Sequence, residues 1–69
     1  MMNMFNINAF LEYISIHKIS LQQDQNELAE QMESLDPDSK DFQELDFEYN
    51  YLAGQIHSLG YILEAAKEF

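Results

Sequence analysis

The residues in this chain that could bind a divalent cation are a group of aspartates near its middle. Asp36 and Asp38 have the spacing that opens a calcium-binding loop. However, Lys40 and Asp41 stand where such a loop needs an oxygen ligand and a glycine, and Phe47 stands where it needs a glutamate. We therefore interpret this stretch as a helix cap rather than a calcium site.

Other side chains with catalytic or ligating chemistry are few. His17 and His57 would lie at similar heights on a helical hairpin, but no third metal ligand accompanies them. The serines lack a histidine–acid arrangement, there is no glycine-rich phosphate loop, and the chain contains no cysteine nucleophile. The sequence thus predicts no metal, no cofactor and no enzymatic activity.

The small size of the chain makes assembly an expected source of stability. A single core in a chain below about 70–80 residues rarely supplies more than about 3–5 kcal/mol, and this chain has 69 residues. Disulfides are excluded because there is no cysteine. A second copy or a protein partner is the remaining common solution.

The charge balance excludes several kinds of partner. Thirteen acids against three bases give a formal net charge of −10, the wrong sign for direct binding to nucleic acid or to anionic membranes. No apolar run approaches the roughly 18 residues of a spanning helix, and Met1 to Lys18 lacks the features of a secretion signal. We expect a soluble, cytoplasmic protein.

The first predicted helix covers about residues 6–35. One face repeats at intervals of three and four, which is typical of one helix packed on another. Its positions are Ile7, Leu11, Ile14, Lys18, Leu21, Gln25, Leu28, Met32 and Leu35. Lys18 and Gln25 interrupt this face, and we expect their stems to lie along apolar surface with their polar heads in water. Before this helix, we expect Met1 and Met2 to fray and Met4 and Phe5 to offer an adaptable apolar contact.

A turn at about residues 36–38 separates this helix from a second one at about 38–67. Pro37 disfavours helical backbone at Asp36, so the first helix should stop near Leu35. Asp36 would cap the second helix with Pro37 at its first position; Asp38, with Asp41 three residues later, is the alternative cap. So short a turn makes the helices antiparallel neighbours.

The second helix carries two apolar faces. We define its inner seam as Phe42, Leu45, Tyr49, Leu52, Ile56, Leu59, Leu63 and Ala66. If this seam packs on the first helix, facing residue numbers sum to about 77, which places Lys18 opposite Leu59 and Gln25 opposite Leu52. The sequence therefore predicts an all-α, coiled-coil-like antiparallel two-helix hairpin in a single domain.

The second apolar face has no partner within the chain. We define the outer seam as Phe47, Tyr51, Gly54, Ser58, Tyr61 and Ala65. Glycine inside a helix costs about 1 kcal/mol relative to alanine. We expect close packing at Gly54, and at Gly60 either close packing or a kink or early end of the helix. The predicted interface consists of Tyr13, Ile16, Ile19, Phe47, Tyr51, Gly54, Ser58 and Tyr61, which we expect to form one contiguous patch.

Acidic residues concentrate at the turn end of the hairpin. Ten of the thirteen acids lie between Asp24 and Glu48, with Lys40 as the only base among them. We define the acidic tip as Asp24, Glu27, Glu30, Glu33, Asp38, Asp41, Glu44 and Glu48. It either aids solubility or has a function of its own.

These features suggest two functional hypotheses. The first is a non-catalytic interaction protein, an adaptor, co-chaperone or inhibitor, whose exposed aromatic surface packs against helices of a partner. The simplest such assembly is a homodimer that completes a four-helix bundle. In the second hypothesis the acidic tip imitates nucleic-acid phosphates, as in small acidic inhibitors encoded by phages, which this chain resembles in charge alone.

A third hypothesis comes from the layout of the chain. A helix, a Pro-Asp turn and a second helix that ends in phenylalanine resemble the needle subunits of type III secretion systems, whose small two-helix co-chaperones share this architecture. The resemblance covers most of the chain. It implies a structural subunit or a needle co-chaperone, although the glycine–tryptophan opening of needle subunits is missing and the second helix would be shorter.

Overall fold

Two helices of equal length form the whole of the described structure. The computed structural model describes residues 6–69, so the predictions for Met1, Met2, Met4 and Phe5 lie outside the described residues. Helix α1 spans Ile7–Glu33 and helix α2 spans Lys40–Ala66, 27 residues each. They pack against each other as a rod of 54 × 25 × 15 Å. The predicted helical hairpin is confirmed.

Helix α1 begins and ends with side-chain caps. Asn6 is the N-cap, and its Oδ1 accepts a hydrogen bond from the Ala9 amide at 3.1 Å. At the other end the Ser34 hydroxyl donates to the Gln31 carbonyl at 3.0 Å. The amide of Leu35 donates to Met32 at 3.1 Å, which closes a tighter final turn. The helix thus stops two residues before the predicted end at Leu35.

The start of α2 differs from both predicted caps. The N-cap is Ser39, whose Oγ accepts from the Phe42 amide at 3.1 Å. Asp36 instead organises the turn: its Oδ1 accepts from the Asp38 amide at 2.9 Å, and its carbonyl accepts from the amide and hydroxyl of Ser39 at 2.9 and 2.6 Å. Pro37 therefore lies in the turn rather than at the first helical position. Local bonding within the turn accounts for this, because aspartate side chains readily bond to the backbone two residues on.

The interface between the helices follows the predicted spacing from Leu11 onward, whereas Ile7, the first predicted position on α1, is 50% exposed. All eight positions of the inner seam are half-buried in the hairpin. On α1 and just beyond it, the half-buried or buried positions of the facing side are Leu11, Ile14, Lys18, Leu21, Gln25, Leu28, Met32 and Leu35. Only Ile14, at 7% exposure, is buried among the described residues. Two helices alone cannot enclose a core, so most of this interface keeps one side in solvent.

The register of the hairpin lies within a few residues of the predicted one. The Gln25 side-chain amide donates to the Tyr49 carbonyl at 3.4 Å, so it reaches across to α2 rather than into water as expected. Lys18 lies over Gly60, where an added Cβ would be 3.5 Å from the Lys18 Nζ. Helix α2 continues through Gly54 and Gly60 without ending at either residue.

Candidate interaction surface

Two grooves run along the hairpin, one on each side of the contact between α1 and α2. The first groove is lined by His17 and Leu21 of α1 and by six residues of α2: Asn50, Tyr51, Gly54, Gln55, Ser58 and Leu59. Tyr13 extends this surface along α1, since its ring stacks on that of His17 with centroids 6.2 Å apart and planes 8° apart. The structure thus brings together Tyr13, Tyr51, Gly54 and Ser58 of the predicted interface.

The second groove lies on the opposite side of the hairpin. Its lining includes Ser15 and Gln22 of α1 together with His57, Gly60 and Tyr61 of α2. His17 and His57 therefore belong to different grooves and do not converge on a shared ligand. Tyr61 is the residue of the predicted interface that faces this groove.

The predicted interface does not form one contiguous patch, because the outer faces of the two helices point in opposite directions. Ile16 follows the buried Ile14 by two residues, which is about 200° around the helix, so it points away from α2. Gly54 lies two residues from both Leu52 and Ile56 of the inner seam, so by the same rotation it points away from α1. Ile16 and Ile19 thus form a separate patch on the back of α1.

The outer seam of α2 carries large aromatic side chains that are mostly exposed. Phe47 is 75% exposed, Tyr61 72% and Tyr51 61%. An added Cβ at Gly54 would meet nothing within 4 Å, so the space above this glycine is open. Exposed aromatic side chains on both sides of a glycine are unusual on the surface of a monomer and are typical of an interaction site.

The end of the hairpin opposite the turn adds four apolar residues, besides Tyr61, that were not among the predicted interface residues. Ile7, Phe10, Tyr61, Ile62 and Phe69 line a depression at this end. Phe10 and Ile62 lie beside the positions that follow the three–four spacing, so this spacing did not identify them as interface residues. The signal that could have found them is the mixture of apolar residues and sparse charge at both ends of the chain.

The acidic tip is fully accessible. All eight of its residues are exposed, and within residues 6–69 the one ion pair joins Lys67 to Glu64 at 2.9 Å, at the opposite end of the rod. The hydrogen bond from Lys67, together with the attraction of its charge, lowers the pKa of the Glu64 carboxyl. Within residues 6–69, none of the tip carboxylates forms an ion pair with a basic side chain.

Other kinds of site find little support in the described part of the chain. Residues 6–69 contain no group of three or more histidine, aspartate or glutamate side chains placed to hold a metal ion. Neither helix in that range is long and apolar enough to cross a membrane. Comparison with protein-family models, with curated proteins and with solved structures found no match to this chain.

Proposed function

We propose that this chain is a non-catalytic protein-interaction module, an adaptor, co-chaperone or inhibitor that acts through helix–helix packing on the outer seam of α2. The observation that carries the proposal is the exposure of Phe47, Tyr51 and Tyr61 around the open backbone of Gly54. Aromatic side chains supply large contact areas and dominate the binding energy of protein interfaces.

The small number of apolar residues that the hairpin buries supports this role. With one buried residue among residues 6–69, the hairpin itself covers little apolar surface. The aromatic side chains of the outer seam contribute little to the contact between α1 and α2, because they remain 61–75% exposed. Covering them with another helix would stabilise the chain and create a specific interface in one step.

Site-specific photo-crosslinking in the native host tests this proposal. The photoreactive residue p-benzoylphenylalanine replaces Phe47 in one variant and Tyr51 in another. Replacement of Gln23, an exposed residue halfway along the back of α1, is the matched control. We expect crosslinked protein species from the first two variants and none from the third. Equal or absent crosslinking at all three positions would contradict the proposal.

The crosslinked species also identify the type of partner. A product of twice the chain mass indicates a second copy, and a product of another mass indicates a different protein, which mass spectrometry can identify. A ladder of products, with filaments in negative stain, would favour the needle-like hypothesis instead.

The accessible acidic tip favours one alternative function, the imitation of nucleic-acid phosphates. Its eight exposed carboxylates have no ion-pair partner within residues 6–69, so their field would reach an approaching basic protein. Reversing the charge of Glu27, Glu30 and Glu44 to lysine would then abolish binding to the captured partner. Under the leading proposal Tyr51→Ala abolishes binding, and the triple charge reversal leaves it intact.

A further inference from the structure

We infer that the outer seam binds a second copy of this chain, with the two α2 helices antiparallel and crossing at Gly54. This inference rests on the proposed function and names its partner. It places the two α2 helices at the centre of the assembly and the two α1 helices outside.

Gly54 is suited to lie on a two-fold axis. It is one residue from the midpoint of α2, Lys40–Ala66, and a side chain there would meet nothing in the hairpin. A two-fold interface must be complementary to itself, since each side presents the same residues. Glycine at the axis lets the two backbones approach closely where they cross.

The residues on either side of Gly54 match one another under this symmetry. In an antiparallel pair centred on Gly54, facing residues have numbers that sum to about 108. Phe47 then packs on Tyr61 of the second copy, seven residues from the axis on each side. Nearer the axis, the large ring of Tyr51 packs over the small Ser58. Each aromatic side chain thus meets either another ring or the space left by a small residue.

Charge complementarity fixes the direction of the pairing. Lys40 and Glu68 extend the heptad row of Phe47, Gly54 and Tyr61 by one step at each end, and both are exposed. The antiparallel pairing brings each lysine to the glutamate of the other copy. The backbone remains helical in character as far as Glu68, whose amide donates to the Ala65 carbonyl at 3.0 Å.

The acidic tips favour the same direction. A parallel pair would place two tips, with eight exposed carboxylates each, side by side. At physiological salt, charges interact strongly only within about 8 Å, so tips at opposite ends of a rod 54 Å long do not repel each other. The separation of the two acidic tips therefore favours the antiparallel pair.

Cysteine crosslinking tests the geometry directly, because the native chain contains no cysteine. Gly54→Cys should form a disulfide-linked dimer under mild oxidation, since the two residues face each other. Phe47→Cys alone should not, because the two substituted positions would lie about 21 Å apart along the helices. An equimolar mixture of Phe47→Cys and Tyr61→Cys should crosslink. Gln23→Cys on the back of α1 is the matched control and should form no disulfide-linked dimer, because its two copies lie far apart in the assembly.

Charge exchange gives a second, independent test. Lys40→Glu would pair two carboxylates across the dimer, and Glu68→Lys would pair two ammonium groups. Each variant alone should dimerise about tenfold more weakly at low salt. An equimolar mixture should recover the affinity of the native chain, because both contacts between unlike chains are then attractive. Circular dichroism checks that each variant remains helical.

The outcomes separate this inference from the proposed function. Sedimentation of the native chain as a monomer at tens of micromolar would overturn the second copy as partner. Photo-crosslinking to another protein at Phe47 would still support the interaction module. Self-crosslinking of Phe47→Cys alone would overturn the antiparallel arrangement, and so would a charge-exchange mixture no tighter than its components.

Discussion

At the scale of single residues, Ser39 has the clearest structural role. It caps α2 through the Phe42 amide and also donates to the Asp36 carbonyl, so one hydroxyl joins the turn to the helix. This bond satisfies one of the amides that a helix leaves unpaired at its start. The cap is therefore a local determinant of where α2 begins.

We expect Ser39→Ala to lower the free energy of unfolding by about 1 kcal/mol, within the range of lost N-caps. Chemical denaturation followed by circular dichroism measures this. Ser20→Ala, at an exposed position in the middle of α1, is the control and should change stability by less than about 0.5 kcal/mol. Ser39→Asp should retain most of the cap. An equal loss in the alanine and aspartate variants would contradict the role of the side-chain acceptor.

A second prediction concerns Glu64. The hydrogen bond and charge of Lys67 lower the pKa of this carboxyl. The contribution of the pair to stability is therefore present above the unfolded-state pKa and is lost as pH falls through the lower, folded-state pKa. In Lys67→Met the pKa of Glu64 should rise toward its ordinary value. NMR titration of the side-chain carboxyl carbon measures the shift; an unchanged pKa would rule out the pair in solution.

At the scale of the helices, isoleucines on the two faces of α1 should contribute differently to the free energy of unfolding. Ile14 is the buried isoleucine, whereas Ile16 is 59% exposed and points away from α2. Truncating a buried isoleucine removes its transfer free energy and leaves a cavity, at a cost of about 2–5 kcal/mol in enclosed cores. The open core of a hairpin places the expected cost near the lower end of that range.

Ile14→Ala should therefore destabilise the chain by about 2 kcal/mol, and Ile16→Ala by less than about 0.5 kcal/mol. Thermal unfolding of both variants at the same chain concentration checks this. If Ile16→Ala were as costly as Ile14→Ala, the back of α1 would have to be covered in solution, which the pairing of α2 helices does not provide.

The helices were predictable from sequence to the extent that spacing determines them. The inner seam and the facing positions of α1 were identified because a three–four repeat places apolar residues on one face of a helix. Leu28 and Tyr49 are examples of residues that follow this repeat. The cap was missed because Asp36, Asp38 and Ser39 are all good N-cap residues within four positions. Their competition is decided by backbone bonds inside the turn, which no repeat encodes.

The candidate surface was predictable in composition but not in shape. Phe47 and Tyr51 were identified as surplus apolar residues because the first helix offers no second matching face. Phe47 and Tyr51 lie apart from Ile16 and Ile19 because the outer faces of α2 and α1 point in opposite directions. That direction depends on how two helices pack side by side, which only the three-dimensional arrangement gives.

At the scale of the whole molecule, charge is concentrated at one end. Carboxylates crowd the acidic tip, while the one ion pair of residues 6–69 lies at the other end. Mutual repulsion of like charges destabilises a compact state, and added salt screens it over a distance of about 10 Å at 0.1 M. The native hairpin should therefore be more stable at higher ionic strength.

We expect the melting temperature to rise when sodium chloride increases from low to moderate concentration, with the neutralised variant Glu27→Gln/Glu44→Gln showing a smaller rise. Thermal denaturation by circular dichroism measures both, with the variant as control for salt effects unrelated to the tip. A salt dependence that is equal in the two proteins would show that the tip carboxylates do not repel one another appreciably.

The short loop between α1 and α2 has a consequence for the order in which the chain folds. A pairing near the loop, such as Leu35 with Phe42, would close a much shorter segment than a pairing of Leu11 with Leu63. The difference in loop-closure entropy is about 2 kcal/mol. We expect the hairpin to close from the turn toward its ends, at the high speed typical of proteins with mostly local contacts. Hydrogen exchange of the dilute chain should then show stronger protection at Leu45 than at Leu63, and the reverse order would contradict this route. A partner that binds along the outer seam would meet a helix whose turn end is already formed.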